Sequence, residues 1–401
     1  MIEEERGEVK KMNMKWEWDS DLNEELYKIR RHLHQNPELS FQEYNTQEYI
    51  GDCLKKWGIP YKEMFDTGIV VDIWGENGQG KHIALRADID ALPIEEKSDV
   101  SFTSNNQGVM HACGHDGHTT ILLGAIYHLW KYKSKFKGLV RCIFQPGEEA
   151  EGAAKEMIEL GVLSEPEIES VVALHLWPKL PLGSIGIKTG AVTSSCDDFE
   201  IDIYGEGGHA ARPQETVDAI SIGSNVINFM KEMQTKWFDP VEPLLLHVGK
   251  IHGGNAKNSV ADKVRIEGTI RTTSTDVRKQ IKDRFISEVM NVIKAYRGDA
   301  EINYFEGHPP VINDKLNTDM LEKSVSELIG GSNIYDLGKP SLGADDFGYF
   351  SEKIPSTYFR LGIVEEDKPI YDLHHPKFYF NEEVIPLGSK ILLQYTMNIL
   401  K

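Results

Sequence analysis

The sequence predicts an α/β domain on a mixed, mostly parallel sheet flanked by helices, with a smaller α+β unit inserted into it. Three observations predict this. Up to residue 175, helical stretches alternate with short apolar strands, as in a parallel sheet flanked by helices. After about residue 190 the strands become long and alternate in polarity. Past residue 310 the chain again looks like its first part and ends in a helix. The expected boundaries are 1–190 and 308–401 for the larger domain and 191–307 for the insert.

The elements follow in order. Residues 21–34 and 41–57 read as helices with mixed apolar and charged faces, separated at Asn36-Pro37, where proline stops a helix. GIVVDIW (68–74) and HIALRAD (82–88) read as strands. Residues 116–132 read as a helix that Asp116 would cap. A strand at 139–145, a helix at 152–160 and a buried strand at 171–175 complete the first part. In the insert, FEIDIYG (199–205) alternates as a strand, a helix lies near 215–233, strands at 244–252 and 263–272, and a helix at 276–296. The closing helix is expected at 386–400.

Bulk properties narrow the function. The chain has 401 residues, 40% of them apolar, which supports a sizeable core and two domains. A net charge of -19 repels phosphates and anionic lipid, so neither nucleic acid nor a membrane surface is expected as a partner. Four scattered cysteines do not form a disulfide framework. The charged N-terminus lacks a secretory signal, and no apolar run approaches a membrane span. A cytoplasmic location is therefore expected.

Chemistry concentrates in four segments at strand ends, where α/β sheets place their sites. MHACGHDGH (110–118) puts His111, Cys113, His115 and His118 in a loop before a helix. Thiolate and imidazole suit borderline-soft ions. His118 more naturally supports the helix start than binds metal. FQPGEEAEG (144–152) follows a strand with the adjacent pair Glu148 and Glu149. One such carboxylate can bind metal while the other moves a proton. His175 ends the strand VVALH; alone it would read as a core residue, and it gains weight by joining other donors. LHHPKF (373–378) adds His374 and His375, either of which can be a donor. These donors exceed what one four-coordinate structural zinc needs, and their scatter is unlike a zinc finger. A two-metal site is the natural reading.

With these motifs in place, the chain resembles the aminoacylase/carboxypeptidase family of dinuclear metallohydrolases. It is most similar to the branch of hippurate hydrolases, N-acyl-amino-acid amidohydrolases and auxin-conjugate hydrolases. The likeness runs through RRHLHQNPELSFQE (30–43), RADIDALPIEE (86–96), HACGHDGHTT, FQPGEEAEGA, GEGGHAARP (205–213), GGNAKNSVADKVRIEGTIR (253–271), GADDFGYF (343–350) and LHHPKF. The resemblance implies a zinc-exopeptidase-like catalytic domain and a ferredoxin-like two-layer sandwich that acts as lid and dimerisation domain. It implies two divalent ions per subunit, Mn or Zn first and Co or Ni as alternatives. Cys113, His115, Glu149, His175 and His374 match the ligands, Glu148 the general base, and Asp90 the aspartate that supports the site. Other branches carry a histidine at Asp88, which is not assigned as a ligand here. His209 matches an oxyanion-stabilising histidine, often supplied by a partner subunit. Asn258 and Arg271 match a pair that grips the substrate carboxylate.

The implied activity is hydrolysis of N-acyl-L-amino acids, with a carboxypeptidase or dipeptidase as alternative and a catalytically silent binding relative as an alternative of another class. Three departures stand out: Asp345 where relatives carry Glu, Gln214 where they carry His, and NSVADKV for the commoner Asn-Val-Ile-Pro run. The first two bear on acyl-group and side-chain preference. A cysteine hydrolase with Cys113 as nucleophile leaves Glu148-Glu149 and His374-His375 unexplained. GEGGHA lacks the spacing and lysine of a phosphate loop.

Overall fold

A computed structural model describes residues 16–239 and 241–401; the charged segment read above for a signal lies outside the described residues. The chain divides into two compact units, one of residues 1–190, 312–338 and 349–401, the other of residues 191–311 and 339–348. Segment 339–348 thus returns to the second unit, whereas the sequence pattern groups it with the first.

The first unit is built on an eight-stranded sheet in the order Lys62–Met64, Gly68–Trp74, Leu139–Gln145, His82–Asp88, Ser170–Pro181, Ser356–Val364, Ile185–Ile187, Ile334–Asp336. Its centre is parallel: 82–88 pairs in parallel with both 139–145 and 170–181, and 170–181 pairs in parallel with 356–364. Central parallel strands are covered on both faces, and every residue of Leu139–Gln145 is buried. The helices Asp21–Gln35, His115–Lys131 and Val384–Ile399 contribute Leu26, Ile29, Ile121, Leu122, Ile385 and Ile391 to one continuous core with these strands.

Several bounds differ from expectation for local reasons. The second helix is Tyr44–Lys56 and not 41–57, because Phe41 has φ 63° and the Glu38 carboxylate accepts from the Asn45 and Thr46 amides. The third helix begins at His115 after Gly114, whose φ of 88° makes the turn. Asp116 therefore does not cap it; its buried carboxylate pairs with Arg30 Nε and His34 Nδ1, each at 2.9 Å. The 171–175 strand extends over Ser170–Pro181. In the insert, the first helix starts at Ala219, where the Asp218 carboxylate accepts from the Ile220 amide.

The second unit has a four-stranded antiparallel sheet ordered Leu244–Gly253, Lys263–Thr272, Asp197–Tyr204, Asp299–Phe305. Helices Ala219–Lys236 and Thr275–Ala295 bury Ile222, Val226, Met230, Ile281, Phe285 and Val289 with Phe199, Ile201, Ile203 and Ile266 of the strands. The chain runs strand, helix, two strands, helix, strand. A two-stranded ribbon pairs Ser259 with His209 and Val260 with Gly208.

One ion pair in the first unit sets an acid limit on stability. Arg141 Nε and Nη2 reach the two Asp72 oxygens at 2.7 and 2.9 Å. Burial raises the Asp72 carboxyl, but the Arg141 hydrogen bonds and charge outweigh it and hold it below its ordinary value. A carboxyl with a depressed folded pKa stabilises the fold above its unfolded value, about 3.9, and loses that contribution as pH falls through the folded value. Asp72→Asn is expected to cost roughly 2 kcal/mol at pH 7. The cost is less than for a fully buried pair, because the Asp72 side chain keeps 15% exposure. The gap in melting temperature between variant and wild type should narrow below pH 4; a gap that persists unchanged at pH 2.5 rules out the ion pair as its source.

Candidate metal centre

The parallel strands at the centre of the first unit run in one direction, so their ends deliver loops to a common place. Asp88 closes one strand, Asp90 follows it, and Gly147, Glu148 and Glu149 follow the neighbouring strand that ends at Gln145. Cys113 lies in the loop before the third helix, and His115 is the first residue of that helix. His175 sits in the middle of its strand, in register with Arg360, and not at a strand end as the sequence suggested. His374 has φ 62°, and its amide donates to the Ala112 carbonyl at 2.9 Å, which ties its loop to the one that bears Cys113.

Three overlapping donor groups join the expected ligands and base: Cys113, His115 and His175; Cys113, Glu149 and His374; and His115, Glu148 and Glu149, while a further group of Asp88, His115 and His118 shares His115. Within each group the donor atoms lie within 4.8 Å of one another. Cys113, His115 and Glu149 each belong to two of the first three.

Hydrogen bonds set the tautomers. His115 Nδ1 donates to Asp90 Oδ1 at 3.2 Å, which leaves Nε2 as the ring nitrogen that faces the carboxylates. His175 Nδ1 donates to the Leu176 carbonyl at 2.6 Å, so its Nε2 faces Cys113 Sγ, 3.4 Å away. A second-sphere carboxylate or carbonyl on the far nitrogen is how metal-ligating imidazoles are oriented. His118 is spent differently: Nδ1 donates to Asp88 Oδ1 at 2.6 Å, and Nε2 accepts the Leu176 amide at 2.9 Å. Asp88 is held in addition by Arg86 Nη1 at 2.5 Å. Of the adjacent pair, His375 turns to stack on Tyr371 and accepts the Lys377 amide, while His374 Nε2 lies 3.4 Å from Glu149 Oε1.

These donors fit a divalent cation. His115 Nε2 and Glu149 Oε1 are buried without a hydrogen-bond partner, a costly state for polar atoms. Two donors each about 2.1 Å from one tetrahedral ion stand roughly 3.4 Å apart. The separations from Glu149 Oε1 to His374 Nε2 and to His115 Nε2 are 3.4 and 3.7 Å. The electrostatics point the same way. Burial lowers the His115 pKa, yet Asp88, Asp90 and Glu149 outweigh it and push it up to about 10. Burial and the charges of Glu149 and Glu148 push the Cys113 thiol well up. A cation placed among these groups relieves both, since it stabilises a thiolate and answers the carboxylates.

The remaining site candidates lie in the second unit. The ribbon brings His209 and Asn258 together: the Ala210 amide donates to the Asn258 carbonyl at 3.2 Å. His209 Nδ1 accepts from the Ala211 amide at 3.0 Å, so its Nε2 carries the proton. Arg271 lies on a different strand, Lys263–Thr272, and its Nη1 donates to the Leu342 carbonyl at 2.9 Å. Asp345 is buried and accepts the Phe347 amide, whereas Gln214 is exposed in a short helical turn.

Two residues around the centre escaped the sequence reading. Ser40 Oγ donates to Asp90 Oδ2 at 2.6 Å, and Glu43 Oε1 accepts the Gly147 amide at 2.9 Å. Both stand in HQNPELSFQE, a motif noted for its likeness but given no role.

Comparison with known proteins agrees with the geometry. Residues 84–398 match the profile of Peptidase family M20/M25/M40. The chain is 39% identical over 382 residues to the N-acetyl-L-cysteine deacetylase of Bacillus subtilis strain 168, covering 95% of this chain and 89% of that one. It is 38% identical over 375 residues to thermostable carboxypeptidase 2 of Saccharolobus solfataricus, covering 92% and 94%. Its structure matches that of the Bacillus subtilis YXEP protein, described as a dinuclear metal-binding peptidase from the M20 family, with a TM-score of 0.82 and 31% identity over 95% and 99% of the two chains. The chain therefore belongs to Peptidase family M20/M25/M40 and is a metal-dependent hydrolase of amide bonds.

Proposed function

We propose that this enzyme hydrolyses N-acyl-L-amino acids to a carboxylic acid and a free amino acid. The observation that carries the reading is the overlap of donor groups through Cys113, His115 and Glu149, which offers room for two ions sharing neighbours. Cys113, His115, Glu149, His175 and His374 would hold them, with Asp90 orienting His115. Mn or Zn suits the mixture of thiolate, imidazole and carboxylate, and Co or Ni remains compatible with it. Divalent ions held there supply Lewis acidity and bring the pKa of water toward neutrality.

The protein's own groups do the rest. Glu148 takes the proton of the attacking water and later passes it to the departing nitrogen. His209, protonated on Nε2, donates to the developing oxyanion. Arg271 and Asn258 hold the free carboxylate of the amino-acid half through charge-assisted hydrogen bonds. The second unit would serve as lid and dimerisation domain, and the enzyme would act as a cytoplasmic homodimer. Among the described residues no helix is long and apolar enough to cross a membrane.

A second reading, carboxypeptidase or dipeptidase activity on small peptides, is favoured by the likeness to the Saccharolobus enzyme. A panel of N-acetyl and N-benzoyl amino acids, their C-terminal amides, and dipeptides separates the two. We expect the acyl amino acids to be turned over faster than the dipeptides. Arg271→Ala should lower kcat/KM for free carboxylates about 10–100-fold, the worth of a charge-assisted hydrogen bond, and leave the blocked amides unchanged. Equal losses on both substrate types contradict the carboxylate grip, and faster dipeptide turnover favours the second reading.

A further inference from the structure

We propose that Glu43 is a positioning residue for the general base, fixing the turn that carries Glu148. The inference rests on the reading of Glu148 as that base. Glu43 is fully buried, a placement that a carboxylate rarely takes without specific partners. Its Oε1 accepts the Gly147 amide at 2.9 Å and its Oε2 accepts the Thr67 hydroxyl at 2.7 Å. Burial pushes its carboxyl up to about 7, against the hydrogen bonds from Thr67 and Gly147 that hold it down.

Helix capping does not explain this placement. Glu43 stands at the N-terminus of the Tyr44–Lys56 helix, but its side chain makes no cap hydrogen bond. Glu38 takes that role, accepting from the Asn45 and Thr46 amides at 3.2 and 2.8 Å. The Glu43 side chain instead reaches the turn after a strand more than a hundred residues later.

The rest of its segment reaches the same turn. Ser40 donates to Asp90 Oδ2, and that oxygen accepts the Glu149 amide at 2.9 Å. Phe41 lays its ring against Gly147: a Cβ there would fall 2.4 Å from the ring, and Gly147 has φ 70°. Residues 40–43 thus form a mould. One end grips the amide before Glu148 directly, and the other grips the amide after it through Asp90. The Pro146–Gly147 and Glu148–Glu149 peptide units are thereby pinned on either side of the Gly147-Glu148 pair. Displacing a catalytic group by about 1 Å can cost on the order of 100-fold in rate.

The test compares Glu43→Ala and Glu43→Gln with wild type by hydrogen–deuterium exchange of the metal-loaded protein, by metal content and by steady-state kinetics. In Glu43→Ala, exchange in peptide 144–152 should accelerate at least tenfold. Its kcat should fall about 10–100-fold, with KM within threefold and metal content unchanged. Glutamine retains a carbonyl acceptor for the Gly147 amide, and the Thr67 hydroxyl can turn to accept from its NH2; Glu43→Gln should recover exchange protection and most of kcat. Unchanged exchange in 144–152, or a kcat loss that only follows the unfolded fraction, overturns the proposal. Glu148→Gln, measured in parallel, reports separately on the base: near-normal turnover there defeats the base assignment, while the exchange data still judge the clamp.

Discussion

Glu148→Gln is expected to lower kcat by roughly 10²–10⁴-fold, with KM and metal content close to wild type. Glutamine matches glutamate in size and keeps a carbonyl acceptor, but it cannot take a proton from water at neutral pH or return one to a departing amine. Glu148 is placed for such a task. Its Oε2 lies 3.8 Å from His115 Nε2, at the edge of the donor cluster. Its neighbour Glu149 offers Oε1 within 3.4 Å of His374 Nε2 and 3.7 Å of His115 Nε2. Adjacent carboxylates therefore have different surroundings: Glu149 lies between two imidazoles, and Glu148 stands 3.8 Å from one of them. The mirror experiment sharpens the assignment, since Glu149→Gln should lose metal first and turnover as a consequence. Should Glu148→Gln retain more than a tenth of wild-type kcat with metal bound, proton transfer belongs to another group.

The same division between groups that bind and groups that orient explains what could be read before the structure. Strands 68–74, 82–88 and 139–145 were legible to the residue, because each is a short, mostly apolar run. The strand Ser356–Val364 was not read; its Arg360 guanidinium is buried over the Trp177 ring, 3.6 Å from its centroid, a contact that only folding creates. Asp299–Phe305 went unread as well, since only alternate residues are even half-buried and its polar ones face outward. The strand holding His175 was read short, because Trp177-Pro178-Lys179 looks like a turn although pairing with 356–364 continues to Pro181.

Within the site, Cys113, His115, Glu148 and Glu149 were legible because donors crowd within a few positions of chain. His175 and His374 needed the family likeness, His175 because it is a lone histidine and His374 because either ring of the His374-His375 pair could be the donor. Ser40 and Glu43 were not legible at all. Glu43 holds a backbone amide, and Ser40 holds a carboxylate that in turn holds one, so no spacing of side chains announces the contacts.

Removal of metal is expected to abolish turnover and to loosen the first unit, and the second effect follows from the donor geometry alone. Without a cation, His115 Nε2 and Glu149 Oε1 are buried without a hydrogen-bond partner, and Asp88, Asp90, Glu148 and Glu149 crowd one imidazole. The charges of Asp88, Asp90 and Glu149 outweigh burial and raise the basicity of His115. A cation bound to the folded state alone adds about 2.7 kcal/mol of stability at a hundred times its dissociation constant. Two such ions, in a chain of this size, should raise the melting temperature by roughly 5–10 °C. Chelation followed by calorimetry, then titration with Mn or Zn, measures this directly. About two equivalents should restore both the melting temperature and the activity, and if they are restored in two steps, the earlier step should carry more of the stability. An unchanged melting temperature after complete metal removal would mean that the donor cluster is already satisfied without a cation. His115 Nε2 and Glu149 Oε1, buried without a hydrogen bond, argue against that outcome.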